Sequence, residues 1–147
     1  MPLSLEEKQA IVELTARYNF AIDHHRAEEW ADTFTDNGEL RVDGKSQAKD
    51  RAGLIAFVKK AEASGYKSRH WVCNTLIEGE GNNARLRMYV MAIAIINGLD
   101  PYVMGEYDDT LVKVNGQWKF ETRRVSFCAG KSFTDGGLKG IPAIARP

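Results

Sequence analysis

The feature that most restricts the fold is a change of periodicity near residue 67: apolar residues recur at helical spacing before it and in β-branched and aromatic runs after it. Upstream, Ile11, Leu14, Tyr18 and Ile22 follow a Ser4/Glu7 capping box, which predicts a helix from about residue 4 to about residue 24. A second row through Val12, Ala16 and Phe20 runs down the same helix, and the 3.6-residue period carries it on to Asp23, setting a carboxylate on an apolar flank. Ala27, Trp30, Ala31 and Phe34 predict a shorter helix ended by the turn residues Asp36, Asn37 and Gly38. Asp50 reads as the N-cap of a third helix, with Leu54, Phe57, Val58 and Ala61 as its buried stripe.

Downstream, turn residues at 79–83, 97–101 and 115–116 separate four strands at roughly 68–78, 84–96, 102–114 and 117–128, with a short earlier strand near 39–42. Helices first and a meander afterwards is an α+β pattern, because hairpins leave no crossover helices from which to build a parallel sheet. The expected architecture has the N-terminal helices packed in the concave face of a strongly curved antiparallel sheet, enclosing a cavity of the kind that binds small molecules. There is no repeat, low-complexity tract or linker, so residues 1–130 read as one domain. Residues 131–147, rich in Gly and Pro, read as an irregular tail that packs on the pocket mouth or on a neighbouring subunit.

Charge narrows the partners. Lysine plus arginine equals aspartate plus glutamate at 20 each, which removes the basic field that attracts nucleic acid or an anionic membrane surface. The longest apolar run, residues 88–96, is about half of the ~20 residues of a spanning helix, and the N-terminus lacks a signal-peptide pattern, so a soluble cytoplasmic protein is expected. That run, MYVMAIAII, is apolar at odd and even positions alike, so its strand should bury both faces. One face belongs to the core and the other to a second subunit in a dimer or trimer, or else to the C-terminal tail. Cys73 and Cys128 have no disulfide-framework or zinc spacing and read as reduced core residues.

Chemistry centres on His70, near the start of a strand in SRHWVCN, because an imidazole moves a proton around neutrality. A carboxylate on its other nitrogen would fix the tautomer, and Asp23 is the candidate. The same spacing also fits a histidine satisfied by a backbone carbonyl, with Asp23 capping the next helix. Tyr18 is either a pocket hydrogen-bond donor or a core aromatic. Arg124 shares strand parity with Trp118 and Phe120 and so should point inward toward an anionic or carbonyl group, whereas Arg123 should be solvated. His24 and His25 are adjacent, point in different directions and lack a third ligand, so no metal is expected. GEGNN sits in a hairpin and is not a phosphate loop, and no cofactor is expected.

Three segments together resemble the SnoaL-like, NTF2-like superfamily: RYNFAIDHHRAEEWADTFTDNGEL, HWVCN and GEYDDTLVKVNGQWKF, in that order. The resemblance is nearest to its dehydratases (scytalone dehydratase, bile acid dehydratase) and to lindane dehydrochlorinase. It implies a cone-shaped α+β fold in which Asp23 orients His70 as a general base. Tyr18 matches the tyrosine that precedes the aspartate in the bile acid enzymes, whereas the dehydrochlorinase has lysine there. No second histidine stands on the later strands, so a leaving-group acid would have to be Tyr18 or a water.

The resemblance therefore implies a cofactor-independent lyase acting on a small apolar hydroxylated aromatic, terpenoid or steroid-like molecule. Asp23 and His70 would be catalytic, Tyr18, Trp30 and Arg124 would bind substrate, and Phe57, Val72 and Met88 would add to the lining. An isomerase or polyketide cyclase of the same fold, and a non-catalytic ligand-binding or accessory subunit, are the alternatives.

Overall fold

The computed structural model describes residues 1–95 and 100–128, so the expected tail at 131–147 and most of the turn expected at 97–101 lie outside the described residues. The chain runs α1 (Leu5–Asp23), α2 (Ala27–Asp32), β1 (Phe34–Val42), β2 (Lys45–Lys49), α3 (Asp50–Ala63), β3 (Ser68–Glu80), β4 (Asn83–Ala94), β5 (Asp100–Val114) and β6 (Gln117–Phe127). The predicted capping box opens α1: Ser4 accepts from the Glu7 backbone N–H and the Glu7 carboxylate accepts from the Ser4 N–H. Asp50, expected as the N-cap of the third helix, is instead the first residue of α3 behind an N-cap at Lys49, although its Oδ1 still accepts from the Gly53 N–H at 2.9 Å.

The helices pack on one six-stranded sheet of order β2-β1-β6-β5-β4-β3. Its pairs are antiparallel except that β1 joins β6 in parallel, a contact the sequence reading did not include. The β5–β6 hairpin closes on Asn115 (φ 51°) and Gly116 (φ 79°), both in the left-handed region that a tight twisted hairpin requires. Gly105 is fixed for a different reason: a Cβ there would lie 2.3 Å from the Ser126 carbonyl oxygen, so only glycine lets β5 approach β6.

Several expectations are corrected. α2 stops at Asp32, and Asp36, Asn37 and Gly38 lie inside β1, where the pairing with β6 shifts register between Phe34 and Glu39. The turn formers make an irregularity in a longer strand instead of ending a helix. β2 escaped notice because only Ala48 of KSQAK is buried, leaving no alternation to read. On α1 the row through Val12 and Phe20 faces solvent, these two being 40% and 66% exposed. Asp23 instead continues the buried polar row Thr15, Asn19, Asp23 at i, i+4, i+8.

Two bulges decide which side chains face inward. Thr110 pairs with Thr122 while its neighbour Leu111 pairs with Phe120, so β6 carries one extra residue, Glu121. Alternation inverts there, and Arg123 rather than Arg124 joins Trp118 and Phe120 on the inner face. On β3, Cys73 pairs with Tyr89 and Leu76 with Arg87, leaving an extra residue around Asn74, whose φ is 55°. His70 and Val72 face inward before this bulge and Ile77 after it, while Trp71, Cys73 and Leu76 face outward. Both cysteines are exposed, contrary to the expected core placement, because Cys73 has outer parity and Cys128 follows the end of β6. On β4, Leu86, Met88 and Val90 are buried on the inner face while Tyr89 on the outer face is 51% exposed; the tail expected as an alternative cover for that face lies outside the described residues.

Inside the core, Arg123 and Asp109 are both fully buried. The Arg123 Nε and Nη2 groups donate to Asp109 Oδ2 at 3.1 and 2.7 Å, and the Arg124 backbone N–H donates to Oδ1 at 3.3 Å. The guanidinium also lies 3.8 Å from the Tyr107 ring centre and 4.2 Å from those of Tyr18 and Phe120. Arg123→Met should strand a buried carboxylate and cost about 3–5 kcal/mol, whereas Arg123→Met with Asp109→Leu should recover most of that loss. Urea unfolding of the three proteins checks this; a single variant within ~1 kcal/mol of the wild type would contradict the pairing.

Candidate functional site

The end of α1 meets the start of β3 at Asp23. Asp23 Oδ1 lies 2.5 Å from His70 Nδ1 and accepts from the Ser68 hydroxyl at 3.4 Å, while Oδ2 accepts from the His70 backbone N–H at 2.9 Å. A carboxylate at a helix C-terminus faces the negative end of the helix dipole. The donors arriving from β3 offset that cost, and Arg69 Nη1 adds a bond to the Asp23 carbonyl oxygen at 3.3 Å. The Asp23 side chain is 6% exposed and that of His70 17%. With the carboxylate on Nδ1, that nitrogen carries the proton, and Nε2 is left with its lone pair on the opposite edge of the ring.

His70 lines a half-open cavity of about 800 Å³ between the helices and the sheet. Tyr18 and Ile22 of α1, Trp30 of α2 and Phe57 of α3 form one wall. Leu40, Val42, Val90, Tyr107, Val125 and Phe127 form the sheet wall. Trp30 is fully buried, stacks on Phe57 at 5.7 Å and meets Tyr18 at 5.3 Å, so the aromatic wall is held by its own packing.

Burial pushes the Tyr18 phenol above its ordinary range, against the opposing pull of the Arg123 charge. Burial pushes the Tyr107 phenol up strongly, with the neighbouring Tyr18 adding to the effect. Both therefore keep their protons at neutral pH, and both residues line the cavity.

The structure brings Asp23, His70, Tyr18 and Trp30 together at one cavity. It does not bring Arg124 there: that side chain is exposed on the outer face, 3.5 Å from the Asp108 carbonyl oxygen, because of the bulge at Glu121. Among the described residues, Val72 and Met88 do not line the cavity, and Val90 is the β4 side chain that does. His24 turns outward, with Nδ1 3.2 Å from the Phe20 carbonyl oxygen, whereas His25 lines the cavity.

Tyr107, Arg123, His25 and Lys60 were missed as site residues. For Arg123 there was a usable signal, since Asp109 shares parity with Tyr107 and Leu111 and a carboxylate in an apolar row demands a cation. Nothing in the sequence located the bulge that decides which arginine answers it.

Residues 3–124 match the model of the SnoaL-like domain. A search of curated proteins finds no match. Among solved structures, a Mycobacterium tuberculosis protein of unknown function is 32% identical over 81% of this chain and 70% of its own, with a TM-score of 0.76. A candidate scytalone dehydratase from Novosphingobium aromaticivorans is 26% identical over 97% of this chain and 96% of its own, with a TM-score of 0.76. The beta subunit of a candidate aromatic-ring-hydroxylating dioxygenase from the same organism is 20% identical over 84% of this chain and 90% of its own. Its TM-score of 0.72 marks a shared fold alone.

Proposed function

The chain belongs to the SnoaL-like domain family, and on that premise we propose that it is a cofactor-independent lyase that removes water from a small apolar hydroxylated molecule. The observation that carries this reading is the Asp23–His70 contact of 2.5 Å at the wall of a cavity lined mainly by aromatic and aliphatic side chains. His70 Nε2 takes a proton from carbon, and Asp23 stabilises the imidazolium that forms. The electron pair of the broken C–H bond becomes the new double bond, and the hydroxyl on the neighbouring carbon departs as water with the proton returned by the His70 imidazolium, which restores the base. The phenols of Tyr18 and Tyr107 donate to a carbonyl or phenol oxygen on which negative charge collects, and the apolar walls exclude solvent from it. Aromatic, terpenoid and steroid-like skeletons suit these walls.

A panel of such hydroxylated compounds, followed by mass spectrometry, tests the reading. The expected result is a product lighter by one water, with His70→Gln and Asp23→Asn each lowering kcat by roughly 10²–10⁴-fold. A product of unchanged formula would replace the lyase with an isomerase or cyclase, and tight binding without turnover would replace it with a binding subunit.

We also propose that the chain works as a homodimer or homotrimer built on the outer face of the sheet. Trp71 of β3, Tyr89 of β4 and Met104 of β5 are there 52%, 51% and 46% exposed, and Trp71, Met91 and Met104 run across three adjacent strands. Light scattering after gel filtration should give a dimer or trimer, reduced to a monomer by Tyr89→Lys; a wild-type monomer at micromolar concentration would contradict it.

A further inference from the structure

The helix α3 meets the cavity with two parallel rows of side chains. Gly53, Phe57 and Ala61, spaced at i, i+4 and i+8, are half-buried and line its interior. Ala56, Lys60 and Ser64, with the same spacing, are exposed and line its mouth. Lys60 thus interrupts a face made of small and apolar residues. It is the one permanently charged group among the described residues lining the cavity, where no Asp or Glu is found. The Asp23 carboxylate behind His70 is taken up by Ser68 and His70.

Its neighbour behaves differently. Lys59 pairs with Glu28 of α2 at 3.6 Å, while Lys60 has no ion pair among the described residues. The exposed Lys59–Glu28 pair shows that this turn of α3 lies beside the head of α2, a few residues after His25, which is half-buried and also lines the cavity. His25 is held in the left-handed region (φ 56°), and its ring has no hydrogen-bond partner among the described residues. The cavity lining therefore carries an ammonium and a second imidazole, with no lining carboxylate among the described residues.

We propose that the molecule this cavity takes is an amphipathic acid, with its apolar body between the aromatic and sheet walls and a carboxylate at the mouth held by Lys60. This deepens the proposed reading of the cavity as a substrate site and rests on it. An ammonium with no protein carboxylate gains a charge-assisted hydrogen bond from such a ligand, whereas a neutral end group only exchanges one hydration partner for another.

Calorimetric titration of the full chain with 2-naphthoate and with 2-naphthamide, which differ in charge at nearly constant shape, tests it. The carboxylate should bind about tenfold or more tightly than the amide at low salt, with the preference shrinking as salt is raised. Lys60→Met should abolish the preference while keeping the amide's affinity, and Lys59→Met should leave the preference in place. Equal affinities, no binding of either probe, or a preference that survives Lys60→Met would overturn the proposal. The titration needs no turnover, so its outcome is separate from that of the screen for loss of water.

Discussion

The rest of the structure hangs on one carboxylate. Asp23 ends the first helix and receives the first donors of the long strand that follows the third, so it fastens the helical layer to the sheet beside the cavity. A carboxylate is poorly placed at a helix C-terminus and poorly placed out of water, and two separate costs are met there by three donors from two residues. One of those donors is an imidazole. The bonds that hold the layers together are the bonds that set the histidine's tautomer, so architecture and proton chemistry share the same atoms.

A second buried charge acts from behind the wall. The Arg123–Asp109 pair is fully enclosed and does not line the cavity, yet its guanidinium lies against the rings of Tyr18 and Tyr107, which do. Burial keeps the two phenols protonated, and the cation behind them favours charge flowing toward their oxygens. A buried ion pair is a weak source of stability, since the desolvation of both partners offsets most of their attraction. Its effect here is positional: it fixes a cation against two rings that could not otherwise share one.

Much of this was legible beforehand, and what was not has a common cause. The capping box, the row of Ile11, Leu14 and Tyr18 and the Asn115–Gly116 hairpin depend on local spacing, and each formed as read. Asp23 and His70 were legible as a pair through the residues around them, although the helical row first used to place Asp23 turned out to face solvent. The misplaced residues lie near irregular pairing. Arg124 was read inward because alternation was carried through Glu121, where the strand in fact gains a residue. Such bulges are set by how two strands meet, and single-chain periodicity holds no record of the partner's register. The polar edge strand at Lys45–Lys49 and the lysine at the mouth escaped for a related reason, since both lie where burial is partial and the pattern carries little information.

The central claim is that Asp23 holds His70 with Nδ1 protonated and Nε2 open to the cavity. Nitrogen-15 NMR of the neutral imidazole measures this directly, because the protonated and lone-pair nitrogens differ widely in chemical shift. The account predicts that His70 is the Nδ1–H tautomer in the wild type and loses that fixed preference in Asp23→Asn. A His70 that carries its proton on Nε2 in the wild type would contradict it, since the cavity would then face a donor where the chemistry requires a base.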